Sequence, residues 1–91
     1  MVSQGWADQG YALSQLNLGV MYFSGESVDP DYPEALKWFR KAADQGVADA
    51  QFNVGQMYEF GLGIPKDTEE ALKWYRKAAA QGHRLARNKL R

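Results

Sequence analysis

The chain has no cysteine, a single histidine, and no run of apolar residues approaching the 18 or so that a membrane span requires. Without cysteine, disulfide frameworks and thiolate metal sites are excluded. His83 has no second imidazole to join it, so a multi-histidine metal site is excluded too, and no metal or cofactor is expected. Between Met1 and Gly10 there is no basic stretch followed by an apolar one, so no targeting segment is read here. A soluble protein of unspecified compartment, with no membrane role, is the expectation. Neither sign of charge is in excess, with 11 Lys and Arg against 11 Asp and Glu, which argues against the broad cationic footprint of a nucleic-acid binder. The charge is nonetheless unevenly placed. The first 36 residues hold Asp8, Glu26, Asp29, Asp31 and Glu34 and no base, while Arg84, Arg87, Lys89 and Arg91 crowd the other end.

What the chain does have is a copy of itself. Displaced by 36 positions, the stretch from Ala7 to Ala42 matches that from Ala43 to Ala78 at 20 of 36 positions. Chance would give roughly 2 or 3 matches, and a period of this length belongs to helical solenoids. Residues that recur in every unit of a solenoid ordinarily stack one unit on the next, which argues against catalysis. The period divides the chain into residues 1–10, the end of a preceding repeat or an N-terminal cap; 11–46, the first repeat; 47–82, the second; and 83–91, a half-repeat or capping helix.

Each repeat reads as two helices. Asp31 with Glu34, and Asp67 with Glu70, have capping-box spacing and open helices predicted over 32–45 and 68–81. Gly46 and Gly82 stand where a left-handed C-terminal cap belongs. The first helix of each pair is predicted from about Tyr11 to Ser24 and from about Val47 to Phe60, ended by Gly25 and Gly61. Pro30 and Pro65 fall in the connections and Pro33 in a first helical turn, so none of the three contradicts this. A third first-type helix is predicted from about His83 to Arg91. At 100° per residue Ala35, Trp38, Phe39 and Ala42 share a face, repeated by Ala71, Trp74, Tyr75 and Ala78. In the first helices Ala50, Val54, Met57 and Tyr58 form the packing face, matched by Ser14, Leu18, Met21 and Tyr22. Gly19 and Gly55 recur mid-helix at a cost of roughly 1 kcal/mol each, which points to close helix approach.

Ala50, Val54-Gly55, Tyr58, Gly61-Leu62-Gly63-Ile64, Asp67, Ala71, Trp74, Lys77-Ala78-Ala79 and Gln81-Gly82 together resemble the Sel-one-like repeat family, a relative of the tetratricopeptide repeats. The resemblance covers nearly all of the chain from Ala7 on. It implies an all-α fold, a right-handed superhelix of antiparallel helix pairs that acts as a scaffold for protein complexes. Some bacterial members carry a disulfide in each helix pair; this chain lacks those cysteines. It also departs at Ser27, which stands where Gly63 is, so the first loop is expected to turn differently.

Most polar residues have ordinary structural readings. His83 opens the last helix as an exposed residue. Ser3, Ser14, Ser24 and Ser27 have no evident base, and Glu69 and Glu70 suit a helical first turn. Gly61-Leu62-Gly63 lacks the lysine-hydroxyl end of a phosphate loop, and Trp38 and Trp74 recur at the repeat period as packing residues do. Two features remain. One is the outward stripe of the first helices, Leu13, Asn17, Val20 and Ser24 in one repeat and Asp49, Asn53, Gln56 and Phe60 in the next, where neighbouring helices of a solenoid line a concave groove. An equal alternative is that Leu13 and Val20 are covered by the segment carrying Val2 and Trp6. The other is the basic stripe Arg84, Arg87 and Arg91, read as a polar end-cap, with an acidic-ligand or nucleic-acid patch as the sharper alternative, for which four cations are few.

The expected function is therefore a non-catalytic module binding a protein or peptide in the groove. Leu13, Asn17, Val20, Asp49, Asn53, Gln56 and Phe60 are the candidate binding residues, Asn17 and Asn53 the polar anchors. Two full repeats fall below the three or so that usually bury a continuous core, so the array is expected either to be part of a longer one or to have its ends covered by another copy. Head-to-tail self-assembly, acidic beginning to basic end, is the alternative function. A carbohydrate or cell-wall ligand is a lesser one.

Overall fold

The computed structural model describes the backbone of residues 4–91 and the side chains of residues 11–91. Five helices follow in order: α1 (Gln4–Ser24), α2 (Tyr32–Asp44), α3 (Ala48–Phe60), α4 (Thr68–Ala80) and α5 (Arg84–Lys89). No strand occurs among the described residues. α1 pairs with α2 and α3 with α4 as antiparallel hairpins; α3 also packs on α2, and α5 on α4, giving an α-solenoid.

The caps fix where the second helices begin and end. Asp31 and Asp67 accept from the amides of Glu34 and Glu70 at 3.1 and 3.0 Å. The reciprocal half of the capping box does not form. The amides of Asp31 and Asp67 instead donate to the carbonyls of Tyr22 and Tyr58, at 2.8 and 2.9 Å, tying each loop back to the helix it left. That leaves the glutamates free to pair with Lys37 and Lys73 one turn on. At the other end Gly46 and Gly82 donate to Ala43 and Ala79, and Val47 and His83 to Ala42 and Ala78, the Schellman pattern of a left-handed cap.

α3 is the centre of the molecule. Ala50, Val54 and Met57 are wholly buried because α3 lies between two second-type helices, α2 and α4. Gly55 lets α4 approach, since an added Cβ would lie 2.7 Å from the Tyr75 ring and 3.2 Å from the Ala71 carbonyl. Gly19 does the same for Phe39 at 2.5 Å. Trp38 donates its indole N–H to Glu34 at 3.1 Å. Trp74 is buried under Arg40 and Lys77, its indole N–H without a hydrogen-bond partner among the described residues.

Three expectations change. α1 begins at Gln4, not near Tyr11. Ala7-Asp8-Gln9-Gly10 repeats the turn-forming Ala43-Asp44-Gln45-Gly46, yet what precedes it lacks the Trp, Lys and Ala pattern of a second-type helix, and the backbone continues helically through Gly10. The α1 packing face is also different. Ala12, Gln15 and Gly19 are buried against α2, whereas Ser14 is exposed and Leu18, Met21 and Tyr22 half-buried. Their counterparts in α3 are buried by the helix before them, and no such helix flanks α1 among the described residues. Finally, Ser27 does not change the turn: its φ of 69° matches the 74° of Gly63.

Candidate functional site

Glycine at 19 draws Phe39 of α2 against α1, and the helical offset from position 19 then sets Val20 and Phe23 beside that ring. On the facing helix, α3, Asn53 and Gln56 point to the same space. Val20, Phe23, Phe39, Asn53 and Gln56 line one hollow between α1 and α3, with a volume of about 130 Å³. That is too small for a drug-sized ligand, which needs some hundreds of Å³, and about right for one large apolar side chain. Its floor and one wall are apolar. Phe23 and Phe39 have ring centroids 6.3 Å apart, and Tyr32 extends the aromatic wall at 5.2 Å from Phe23. The other wall carries the carboxamides of Asn53 and Gln56, both half-buried, each able to donate and accept.

Of the seven candidate residues, three, Val20, Asn53 and Gln56, meet at this hollow. Leu13 and Asn17 lie further along the same stripe of α1, exposed and outside it; Phe60 is exposed near the end of α3, with the Lys89 ammonium 5.2 Å from its ring. Asp49 has a structural partner: its carboxylate accepts from His83 Nε2 at 2.9 Å, joining α3 to α5. His83 is accordingly not an exposed helix-start residue. Its Nδ1 accepts from the Ala86 amide at 3.2 Å, which makes it the N-cap of α5 and places its proton on Nε2, and its ring stacks on Phe52 at 4.8 Å. Val2 and Trp6, proposed as a cover for Leu13 and Val20, have side chains outside the described residues.

Two residues of the hollow were not expected there. Phe39 was read only as packing, which it also is. Phe23 had no periodic signal, because its counterpart one repeat on is Glu59. A second missed device is polar. Gln51, buried, donates to the Ala43 carbonyl at 3.2 Å and accepts from Gln81 at 3.0 Å, so one side chain ties the end of α2 to the end of α4. Gln15 accepts from Gln45 in the same register. Both pairs recur at 36 residues, a signal that was there to be read. Glu59, Tyr75 and Lys89 make a third cluster. The Tyr75 hydroxyl donates to Glu59, which also pairs with Lys89 at 3.1 Å. That hydrogen bond, with Lys89, holds the Glu59 carboxyl below its ordinary range; burial and then the Glu59 charge push Tyr75 up. These groups brace α3, α4 and α5.

Among the described residues no cluster of His, Asp and Glu could hold a metal, and no helix is long and apolar enough to cross a membrane. Comparison with curated proteins gives no significant match. The Sel1 repeat profile matches residues 12–47 and 48–83. Among solved structures, the chain is similar to a Sel1 repeat protein from Oxalobacter formigenes (47% identity, TM-score 0.85, 86% of this chain and 32% of that one). It is also similar to a protective antigen of uropathogenic Escherichia coli displaying an SLR fold (46%, 0.79, 84% and 16%) and to Helicobacter pylori cysteine rich protein B (26%, 0.80, 85% and 58%). It thus spans between about a sixth and three-fifths of the length of these relatives. Proteins built from this repeat are generally non-catalytic scaffolds for protein interaction. The profile fits both units of the internal duplication, with the caps and glycines that define them, and the chain belongs to the Sel1-repeat family.

Proposed function

We propose that this module binds an extended peptide or a partner helix along its concave face, one apolar side chain of the ligand seated in the hollow between α1 and α3. The observation that carries this is the composition of that hollow: Val20, Phe23 and Phe39 on one side, two carboxamides on the other. An apolar floor favours a buried anchor, and Asn53 and Gln56 can pair with the ligand's backbone on either side of it. Asn17, on the same stripe of α1, extends the polar track, and Leu13 and Phe60 are apolar contacts at its margins. Nothing in this arrangement supplies a nucleophile with a base.

Selection of a displayed random-peptide library on the immobilised domain tests the reading. Enriched peptides should share one large apolar residue at a fixed position. Val20→Glu, which puts a charge at the hollow, should abolish their binding, and the double variant Asn17→Ala with Asn53→Ala should weaken it about tenfold, or about 1.4 kcal/mol, with helical circular dichroism unchanged. Library selection without a shared anchor, or affinity indifferent to these changes, discards the groove.

A further inference from the structure

The arginine stripe of α5 occupies a particular place in the repeat. Counting back 36 residues, Arg84, Arg87, Asn88 and Arg91 stand at the positions of Ala48, Gln51, Phe52 and Gly55. In α3 those positions form the seam that receives α4: Gly55 lies under Tyr75, Phe52 meets the Tyr75 ring at a tilt with centroids 5.5 Å apart, and Gln51 accepts from Gln81. In α1 the same register receives α2 through Gly19 and Gln15. On α5 that seam has been rebuilt in cationic residues. The four side chains line an open hollow, and none of the three guanidiniums has an ion pair among the described residues. The acids nearest to α5 are committed elsewhere, Asp49 to His83 and Glu59 to Tyr75 and Lys89.

A second helix of the ordinary repeat type is refused here. Burying three unpaired guanidiniums under the apolar face of such a helix is costly, and the glycine that admits Tyr75 onto α3 has no counterpart here, Arg91 standing at its position in the sequence. The hollow keeps the shape of a helix seat, with the opposite chemical preference. Guanidiniums pair with carboxylates through paired N–H donors; Arg84 and Arg87 share a face of α5 at i, i+3, and Arg91, just past the Leu90 C-cap where α5 has already ended, lines the same hollow. We propose that α5 docks an acidic helix of a partner protein in the position where the array elsewhere places the second helix of a hairpin, carboxylates on its seam taking the place of Ala71, Tyr75 and Gln81. The surface is distinct from the concave hollow and does not depend on it.

The test uses the full chain and a defined probe: a fluorescein-labelled peptide of the α4 sequence, residues 68–81, carrying Ala71→Glu, Tyr75→Glu and Gln81→Glu. Anisotropy at low ionic strength should show saturable binding. The unmodified α4 peptide, and a peptide of the same composition with its acids permuted off that face, should each bind at least tenfold more weakly. Arg84→Gln/Arg87→Gln/Arg91→Gln should reduce binding at least tenfold and Arg84→Glu/Arg87→Glu/Arg91→Glu should abolish it, both variants keeping wild-type helical circular dichroism. The neutral variant covers the case in which reversed charge frays α5. Absence of binding, equal binding of the permuted peptide, or indifference to the neutral variant overturns the proposal. So does sedimentation showing that the unmodified protein dimerises through these arginines, since the occupant would then be a second copy.

Discussion

At position 55 the absence of a side chain is decisive, and its counterpart at 19 is a useful contrast. An alanine at 55 would press on the Tyr75 ring at 2.7 Å and on a backbone carbonyl, both fixed in the core between α3 and α4. The helix-propensity gain of about 1 kcal/mol is outweighed by overpacking of about 1–3 kcal/mol, so Gly55→Ala should destabilise. At 19 the three nearest atoms all belong to the Phe39 ring, a side chain that also lines the hollow and has that space to shift into. Gly19→Ala should be milder, near neutral in urea unfolding, and should alter the shape of the hollow. Equal losses at the two positions would contradict the account of the hollow as yielding space. Ser27 and Gly63 form a second pair. Both are left-handed, but a Cβ at 63 would meet the Pro33 nitrogen at 2.8 Å, while Ser27 carries its Cβ on a face with no neighbouring helix among the described residues. Ser27→Gly should therefore be neutral to stabilising by up to about 1 kcal/mol, as left-handed strain is released against a chain-entropy loss. Gly63→Ser, which adds both strain and a clash with backbone, should cost about 2 kcal/mol or more. The recurrence of glycine made position 63 legible in the sequence. That serine would keep the same turn was not, because the tolerance at 27 comes from what is missing beside it.

Among the elements, α5 is the least self-sufficient, since six residues cannot hold a helix alone. It is fastened by the His83 cap, the His83 link to Asp49, the ring stack on Phe52, the burial of Ala86 and the Lys89 bridge to Glu59. His83→Ala removes the first three at once and should cost about 1–2 kcal/mol, the worth of a cap and its attachments. Hydrogen exchange should localise the loss to residues 84–91. If protection falls equally in α3 and α4, the histidine is not acting as a local fastening. The Tyr75 and Glu59 pair beside it gives stability a dependence on pH with two edges. Tyr75 titrates higher in the folded protein than its ordinary value of about 10, so its contribution is complete below that pH and is lost as pH rises above it, where the unfolded chain ionises first. Glu59 titrates lower when folded, so its contribution is present above the ordinary carboxylate range and is lost as pH falls through it. Tyr75→Phe should flatten the alkaline edge in urea melts between pH 9 and 11. Helices α2, α3 and α4 could be read from caps and periodicity almost to the residue, whereas α1 starts well before the Tyr11 that its repeat register marks. What could not be read was which exposed-looking polar residues were fastenings, since His83 and Asp49 lie 34 positions apart and the pairing has no counterpart at Val47 in the repeat before.

On the scale of the whole molecule, stability in an array of this kind is a sum over units and the interfaces between them, so a helix with neighbours on both sides is held more firmly than one at an edge. α2, α3 and α4 are each flanked on both sides, but only α3 lies between two helices that are themselves flanked; Ala50, Val54 and Met57 are inaccessible, and Gln51 clamps the end of α2 to the end of α4. Among the described residues α1 packs chiefly on α2, and its second face, Ser14, Leu18, Met21 and Tyr22, is half open. The concave hollow is thus built from one firm wall, the carboxamides of α3, and one yielding wall, the apolar side chains of α1. Native-state hydrogen exchange should show this as a gradient: strongest protection in α3, less in α2 and α4, least in α1 and α5. A ligand seated between α1 and α3 would add the contact that α1 lacks, so binding in the hollow should raise protection in α1 most and in α4 least. Gln51→Leu, which removes one of two donors to the Ala43 carbonyl (Gly46 keeps the other) and the acceptor of the exposed Gln81 amide, should cost about 1 kcal/mol and steepen the gradient by uncoupling α2 from α4. Uniform protection across the five helices, before and after ligand, would mean that the molecule opens as one unit, and the yielding wall would have to be given up.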